Sequence, residues 1–429
     1  MFTTLKSYYK KINFANALLA ILPVQVINLL YYLLYLNKYN YLPAPFVSDK
    51  YDTLMDFYNP LFWVLREEFY STYKSVYPAL NYYFLKIFTF GIDLNYILSP
   101  FQLREDYLIL GFAVSIFYIL IIWLVINLGE WKKNHTISKL FVFFVCVLSI
   151  PVLFGIERGN LIFLALLFLA LHLNAKGLWA KAIFLGLLIN VKPYFVIFLL
   201  QYLNIYQFNI KELLRAVFIS ILIFFSLGET LNIDYLMFFS SYLEFAKNTT
   251  ISVEGIVALP HSIAAFSSIK KLIIFGEGSR FTAWFSFLKV INYLVILMMI
   301  LFSLRKRLTN LELLIFSFFI MTNFSISTGG YILILYIILI PYLLSSEEYR
   351  KLIVYILLIC VVPWDWVDLI NINYTHTKIF FGGGGVIENP DIHIGMGSLA
   401  RPFANFFMAI CYLNHIYRKY HRPNFSQIH

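Results

Sequence analysis

Apolar residues dominate this chain in long uninterrupted runs, and charged residues fall mostly in the joints between them. The first run extends from Asn13 to Leu36, after Lys6, Lys10 and Lys11. Later runs are Asp106–Leu128, Leu140–Ile156, Leu161–Leu173, Leu178–Val191, Tyr194–Leu203 and Leu214–Leu231. Phe281–Leu304, Leu311–Ser327, Tyr331–Leu344, Leu352–Ile370 and Leu399–Tyr417 complete the set. A helical membrane crossing takes roughly 20 apolar residues, and several of these runs are shorter. Two short runs meet at Lys192-Pro193. Proline cannot donate to a helix ladder and disfavours helix at the residue before it. The pattern predicts two half-helices that enter from one side, break within the membrane and return.

About twelve segments place both termini on one side. The joints on that side are Trp131-Lys132-Lys133, Asn174–Lys181, Arg305-Lys306-Arg307 and Glu347–Lys351, with the tail Arg418-Lys419-Tyr420-His421-Arg422. Each carries Lys or Arg, which assigns them to the cytoplasm. Three long loops then face outward: Asn37–Glu105, Asn232–Arg280 and Asn371–Ser398. The first is rich in Tyr, Phe, Trp and Leu, and we expect it to fold against the membrane surface. A secretory signal has a shorter apolar core and a small-residue cleavage site. We therefore expect an uncleaved first helix with a cytoplasmic N-terminus, and one membrane unit over residues 1–429.

Composition agrees. The chain is 61% hydrophobic and 13% charged, with 44 Phe and 32 Tyr, whereas a soluble domain carries roughly 25% charged residues. The formal charge of +10 is scattered among joints and forms no phosphate-tracking patch, so nucleic acid is not an expected partner. Cys146, Cys360 and Cys411 lie within apolar runs without a CxxC or Cys/His cluster, which excludes a thiolate metal site or a disulfide framework as the organising device. The expected class is an all-α polytopic membrane protein without a metal or cofactor.

Candidate chemistry gathers in the outer joints. Asp49, Asp52 and Asp56 precede the aromatic stretch Phe57-Tyr58-Asn59-Pro60-Leu61-Phe62-Trp63. A carboxylate at the lipid–water boundary is expected to have its pKa raised by desolvation, toward the working range of a general base. The same acids also suit helix caps. Glu157-Arg158-Gly159-Asn160 offers a guanidinium that can hold a phosphate through paired donors, or anchor the interface. Lys192, with Asn190 before it, is a charge near membrane depth and therefore a functional candidate. Pro260-His261-Ser262, followed by Lys270, Lys271 and Arg280, forms a looser group. Gly382–Gly385 lacks the Lys-Ser/Thr of a phosphate loop and reads as a turn. The spacing of His376, Asp391 and His393 matches no metal-ligand pattern.

Taken in order, Asp56-Phe57-Tyr58, Val76-Tyr77-Pro78-Ala79-Leu80, Glu157–Asn160, Gly186–Pro193 and His261-Ser262 resemble the GT-C superfamily of integral-membrane glycosyltransferases. The nearest resemblance is to glycosyltransferase family 87, the polyprenyl-phosphate-mannose-dependent mannosyltransferases. Ala79 stands where that family often has a second Pro, and His261 where it often has Asn. Ser327-Thr328-Gly329-Gly330-Tyr331 occupies the place of its late Ser-Pro element. The resemblance implies a GT-C-type fold and inverting transfer of a hexose such as mannose from a polyprenyl-phosphate donor to a glycan or glycolipid hydroxyl. It implies Asp56, or Asp52, as base. Arg158, Lys192 and Arg280 would neutralise the donor phosphate, and Glu157, Asn160, Asn190, His261 and Tyr331 would contact substrate. The expected place is a bacterial inner membrane, with the active site facing outward. An oligosaccharide polymerase or ligase and a lipid-linked-sugar flippase are the competing readings.

Overall fold

Apolar runs of roughly a dozen or more residues suit buried helices, and Pro, Gly and Asn set their ends. The computed structural model describes residues 14–39, 42–43, 46, 53–67, 69–73, 75–93, 96–129, 136–206, 208–248, 279–324, 330–345, 348–373 and 391–421. The order begins α1 (Phe14–Tyr39), α2 (Met55–Arg66), α3 (Ala79–Lys86), α4 (Pro100–Asp106) and α5 (Leu108–Leu128). It continues with α6 (Thr136–Val147), α7 (Ile150–Arg158), α8 (Ile162–Asn174) and α9 (Leu178–Val191). A 3₁₀ stretch, Pro193–Leu199, runs into α10 (Leu200–Leu203). Then come α11 (Ile210–Thr230), α12 (Tyr235–Asn248), α13 (Ser279–Arg305) and α14 (Asn310–Phe324). A second 3₁₀ stretch, Gly330–Ile338, leads into α15 (Leu339–Ser345), followed by α16 (Arg350–Val361). A 3₁₀ turn at Trp364–Trp366, strands β1 (Asp368–Asn373) and β2 (Asp391–Gly395), and α17 (Gly397–His421) close the order.

The fold is therefore helical, as expected, with one exception. The segment expected as the third outer loop begins and ends in an antiparallel ribbon, with Asn371 opposite His393 and Asn373 opposite Asp391. Alternating Ile residues in Asp368–Asn373 and Asp391–Gly395 give the two-residue period of a strand. The Gly382–Gly385 turn and His376 lie outside the described residues.

The twelve runs are not twelve membrane-length helices. Among the described residues, only Leu108–Leu128 is long and apolar enough to cross a membrane alone. The run read as Leu140–Ile156 is two helices bent by 58°. The bend falls at Leu148-Ser149, where Ser149 Oγ donates to the Cys146 carbonyl at 2.6 Å and Pro151 opens the next helix. The break at Lys192-Pro193 is present, but the chain continues beyond it as a 3₁₀ stretch. The segment expected as the first outer loop supplies α2, α3 and most of α4.

The core centres on α9, which packs between α8 and α11, with the Gly330–Ile338 stretch against α7 and α8. Several helices keep an apolar outward face. On α5 it is Ile109, Phe112, Ile116 and Leu120; on α11 it is Leu214, Phe218, Ile221 and Phe225. On α13 it is Val290, Leu294, Leu297 and Leu301. The opposite side of α5, through Val114, Tyr118, Ile121 and Val125, is buried.

The ribbon is rooted on an ion pair absent from the expected charge sites. Arg401 and Asp365 have fully buried side chains and bond in bidentate fashion, Nη1 to Oδ1 at 2.9 Å and Nη2 to Oδ2. Arg401 Nε also donates to the Ile359 carbonyl at 3.1 Å. Gly397 lies so close that any Cβ there would meet both charged groups. Breaking a buried pair costs about 3–5 kcal/mol, whereas replacing both partners by apolar groups is often neutral. Asp365→Ala should therefore lower the thermal unfolding midpoint sharply, and Asp365→Leu with Arg401→Met should recover most of the loss. Equal midpoints for the single and double variants would contradict this account.

Candidate functional site

Two chain segments are knotted where α2 begins and α7 ends. Leu54 adopts a left-handed backbone, φ 63°, which is uncommon for a branched residue. Its N–H donates to the Glu157 carbonyl at 2.6 Å, and its own carbonyl accepts from Phe57 and Tyr58 N–H. Gly111 leaves the space that Leu54 Cδ1 and the Tyr58 ring occupy; a Cβ there would approach Leu54 Cδ1 to 2.6 Å. Tyr58 Oη accepts from Gly111 N–H at 2.9 Å and donates to the Tyr107 carbonyl at 2.8 Å. These contacts fix the first turn of α2 and with it Asp56.

On the other strand of the knot, Gly159 ends α7 with φ +66°. The N–H groups of Gly159 and Asn160 turn back to the carbonyls of Ile156 and Gly155, the usual closure of a helix by a left-handed glycine. A Cβ at Gly159 would stand 2.8 Å from Phe57 Cβ, so glycine is required by approach as well as by φ. Tyr118 Oη donates to the Gly159 carbonyl at 3.1 Å.

The knot delivers two donors to one carboxylate. Arg158 Nη2 lies 2.6 Å from Asp56 Oδ1, and Asn160 Nδ2 lies 2.6 Å from Asp56 Oδ2. Asn160 Oδ1 accepts the Ile162 N–H at 3.0 Å, which orients the amide so that its donors face Asp56. The Arg158 and Asp56 side chains keep 11% and 20% exposure. The pair is open on one side.

Lys192 comes to the same place from the helix break. It caps α9 in extended conformation, as the residue before proline should. Its Nζ lies 4.4 Å from the centre of the Tyr77 ring, within the range of cation–π attraction. Asn81 joins the two elements. Its Nδ2 donates to the carbonyls of Val191 at 3.0 Å, Asn190 at 3.5 Å and Pro78 at 3.2 Å. The Tyr77 carbonyl accepts from Tyr70 Oη at 2.7 Å. Val76–Leu80 is thereby held against the Lys192 break.

Burial acts to raise the Asp56 carboxyl, as the sequence suggested. The Arg158 charge and hydrogen bond, the Asn160 hydrogen bond and the Lys192 charge oppose it. The cations win, and Asp56 sits below its ordinary value. The expectation of a raised pKa is therefore corrected: desolvation operates, but a hydrogen-bonded arginine outweighs it.

The other candidate residues are distributed as follows. Glu157 is buried, and its carbonyl holds Leu54. Asn190 Nδ2 donates to the carbonyls of Gly186 and Ser220 at 2.8 and 3.0 Å, tying α9 to α11. Tyr331 stacks on Phe154 with centroids 6.1 Å apart and lies within electrostatic range of Tyr77. Asp52 and His261 lie outside the described residues, and Arg280 falls on the first turn of α13 with only its backbone described. Asp391 and His393 sit on β2. Among the described residues, no group of three or more His, Cys, Asp or Glu is placed to hold a metal ion. Tyr77, Asn81 and Tyr118 join the site without a signal of their own in the sequence, although Tyr77 lies within Val76–Leu80 and Asn81 immediately after it.

Comparison with protein-family models, curated sequences and solved structures gives no match.

Two outcomes follow from this geometry. Because the Asp56 carboxyl is held low, its contribution to stability is complete above the ordinary carboxylate pKa of about 3.9. That contribution is lost as pH falls through the lower folded value. Melting curves from neutral to acid pH should show a steeper acid loss for the wild-type chain than for Asp56→Asn; parallel curves would refute the clamp. Gly159→Ala should destabilise the chain by about 1–2 kcal/mol from the left-handed backbone, and by more if Phe57 cannot move. This is readable as a lowered denaturation midpoint.

Proposed function

We propose that this chain is a multi-pass membrane glycosyltransferase that moves a hexose, such as mannose, from a polyprenyl-phosphate donor to a hydroxyl acceptor by inversion. The membrane part is supported by the apolar outward faces of α5, α11 and α13, since contiguous exposed apolar surface of that extent needs a lipid or protein cover. The distribution of Lys and Arg orients the termini to the cytoplasm and the Asp56 site outward. A bacterial plasma membrane fits this arrangement.

The observation that carries the chemical reading is an ionised carboxylate, clamped by Arg158 and Asn160, beside a lysine held at a helix break. Lys192 draws the donor phosphate, with Arg158 contributing charge while holding Asp56 and Arg280 as a further cation. The acceptor oxygen forms its bond to the anomeric carbon as the bond from that carbon to the phosphate oxygen breaks. The bonding pair leaves with the lipid phosphate, which passes from a diester monoanion to a monoester dianion. Asp56 takes the acceptor proton, so total charge is conserved. The negative charge that develops on phosphate strengthens its attraction to Lys192 in the transition state, the condition for catalysis by binding. A carboxylate of low pKa suffices because an alcohol becomes strongly acidic as its oxygen bonds to carbon. Proton transfer is then late, and Asp56 first orients the hydroxyl as an acceptor. Tyr77 and Tyr331, both half-buried, keep ring surface suited to the apolar side of a sugar.

The purified chain should release polyprenyl phosphate from at least one member of a panel of polyprenyl-phosphate hexoses. Asp56→Asn should lower turnover by roughly 10²–10⁴-fold while donor still binds, and Lys192→Ala should weaken donor binding. Absence of turnover with every donor, beside an active control enzyme, would refute the transferase reading.

A further inference from the structure

Among the described residues, four highly exposed apolar side chains cluster between α3 and α4. Phe90 is 97% exposed, Leu98 79%, Tyr96 74% and Ile87 70%. They stand on a built turn. Phe88 N–H returns to the Leu85 carbonyl, Ile92 N–H to the Thr89 carbonyl, and Gly91 supplies the positive φ of 80° that the reversal needs.

Several backbone polar groups of the described part of this segment are met from within the protein. Gln102 Nε2 donates to the Tyr96 carbonyl at 2.7 Å, and Gln102 Oε1 accepts the Leu98 N–H at 2.9 Å. Arg66 Nη2 donates to the Ile97 carbonyl at 2.6 Å. Tyr107 Oη accepts the Asp93 N–H at 3.3 Å. Each internal partner of this kind lowers the cost of moving backbone under outward apolar side chains from water toward hydrocarbon.

Its position selects the occupant. Tyr107 immediately precedes α5, whose outward apolar face begins at Ile109, while Glu105 and Asp106 beside it are exposed. The turn is thus tied to the level where exposed charge gives way to exposed hydrocarbon on the helix long enough to cross a membrane. We propose that Ile87, Phe90, Tyr96 and Leu98 form a wedge that inserts shallowly into the outer leaflet of a lipid bilayer. Through Arg66 the wedge is bonded to α2, the helix that carries Asp56, so its insertion fixes the carboxylate at headgroup depth. The inference rests on the membrane reading and is independent of the reaction proposed.

The test places an environment-sensitive fluorophore on Phe90→Cys in a chain carrying Cys411→Ser, reconstituted into phosphatidylcholine–phosphatidylglycerol vesicles. Cys146 and Cys360 are buried and stay unlabelled. Phe112→Cys serves as the lipid reference and Lys176→Cys as the aqueous reference. The expected result is strong quenching of the Phe90 probe by lipids spin-labelled near the headgroup, with weak quenching by aqueous iodide. A Phe90 probe open to iodide while the Phe112 probe is quenched by lipid overturns the wedge alone. Iodide quenching at both positions overturns the membrane reading with it. Protection of the Phe90 probe from both quenchers assigns the patch to a protein partner and also overturns the proposal.

Discussion

Where a helix stops inside this apolar body, the carbonyls it leaves behind need donors that water cannot supply, and at several of these breaks carboxamide side chains provide them. An unsatisfied buried polar group costs about 1–3 kcal/mol, so a fold with several interior breaks depends on such partners. Asn81 meets the carbonyls at the Lys192 break. Asn204 does the same for the end of α13, reaching the carbonyls of Ser303 and Lys306. Gln25 and Asn28 carry α1 onto the carbonyls of Val145 and Val361. Asn160, itself buried, has a double duty: one end of its amide accepts the Ile162 N–H at the start of α8 and the other holds Asp56. The candidate site is built from the same device that closes the interior.

Three charge clusters separate structure from chemistry by how completely they are closed. Asp365 and Arg401 are sealed and saturate each other. Glu312 is buried and receives Thr309 N–H, Tyr349 Oη, Lys419 Nζ and Tyr420 Oη, while Lys419 also reaches Glu348. This group binds α17 to the first turn of α14 and leaves Glu312 no open face. Asp56 differs. It has two short donors, remaining exposure and a second cation within electrostatic reach. A charge kept partly wet beside an apolar surface is the arrangement from which binding of a charged ligand gains most, because the ligand replaces water at few contacts and meets fixed dipoles.

The sequence made the breaks legible because proline and glycine act locally. Lys192-Pro193 and Arg158-Gly159 both mark true helix ends, and they bring forward the two cations of the site. Pairing across the chain was not legible. Nothing in the order of residues says that Asn160, rather than a neighbour, turns its amide to Asp56, since that depends on Ile162 N–H occupying the other end. The sign of the Asp56 shift is hidden for the same reason: burial is readable from composition, whereas a guanidinium at hydrogen-bond distance is a product of folding. Run length is likewise blind to bends such as the one at Leu148-Ser149. The ribbon of Asp368–Asn373 and Asp391–Gly395 was hidden within a loop whose ends pair over a long sequence separation.

The lowered carboxyl and the proposed transfer are connected through the donor itself. Asp56 is held down by Arg158 and, at longer range, by Lys192. A phosphate diester drawn to Lys192 brings a negative charge that offsets part of this cationic field, so the occupied site holds a more basic carboxylate than the empty one. The departing dianion offsets more of it. Basicity at Asp56 thus rises along the reaction coordinate, from a resting value at which the carboxylate is fully ionised to one matched to an acceptor oxygen that is already bonding to carbon. On this reading the ion pair is a device for timing. It keeps the base ionised and in register before the donor arrives, and it loosens as the charge that Lys192 attracts accumulates.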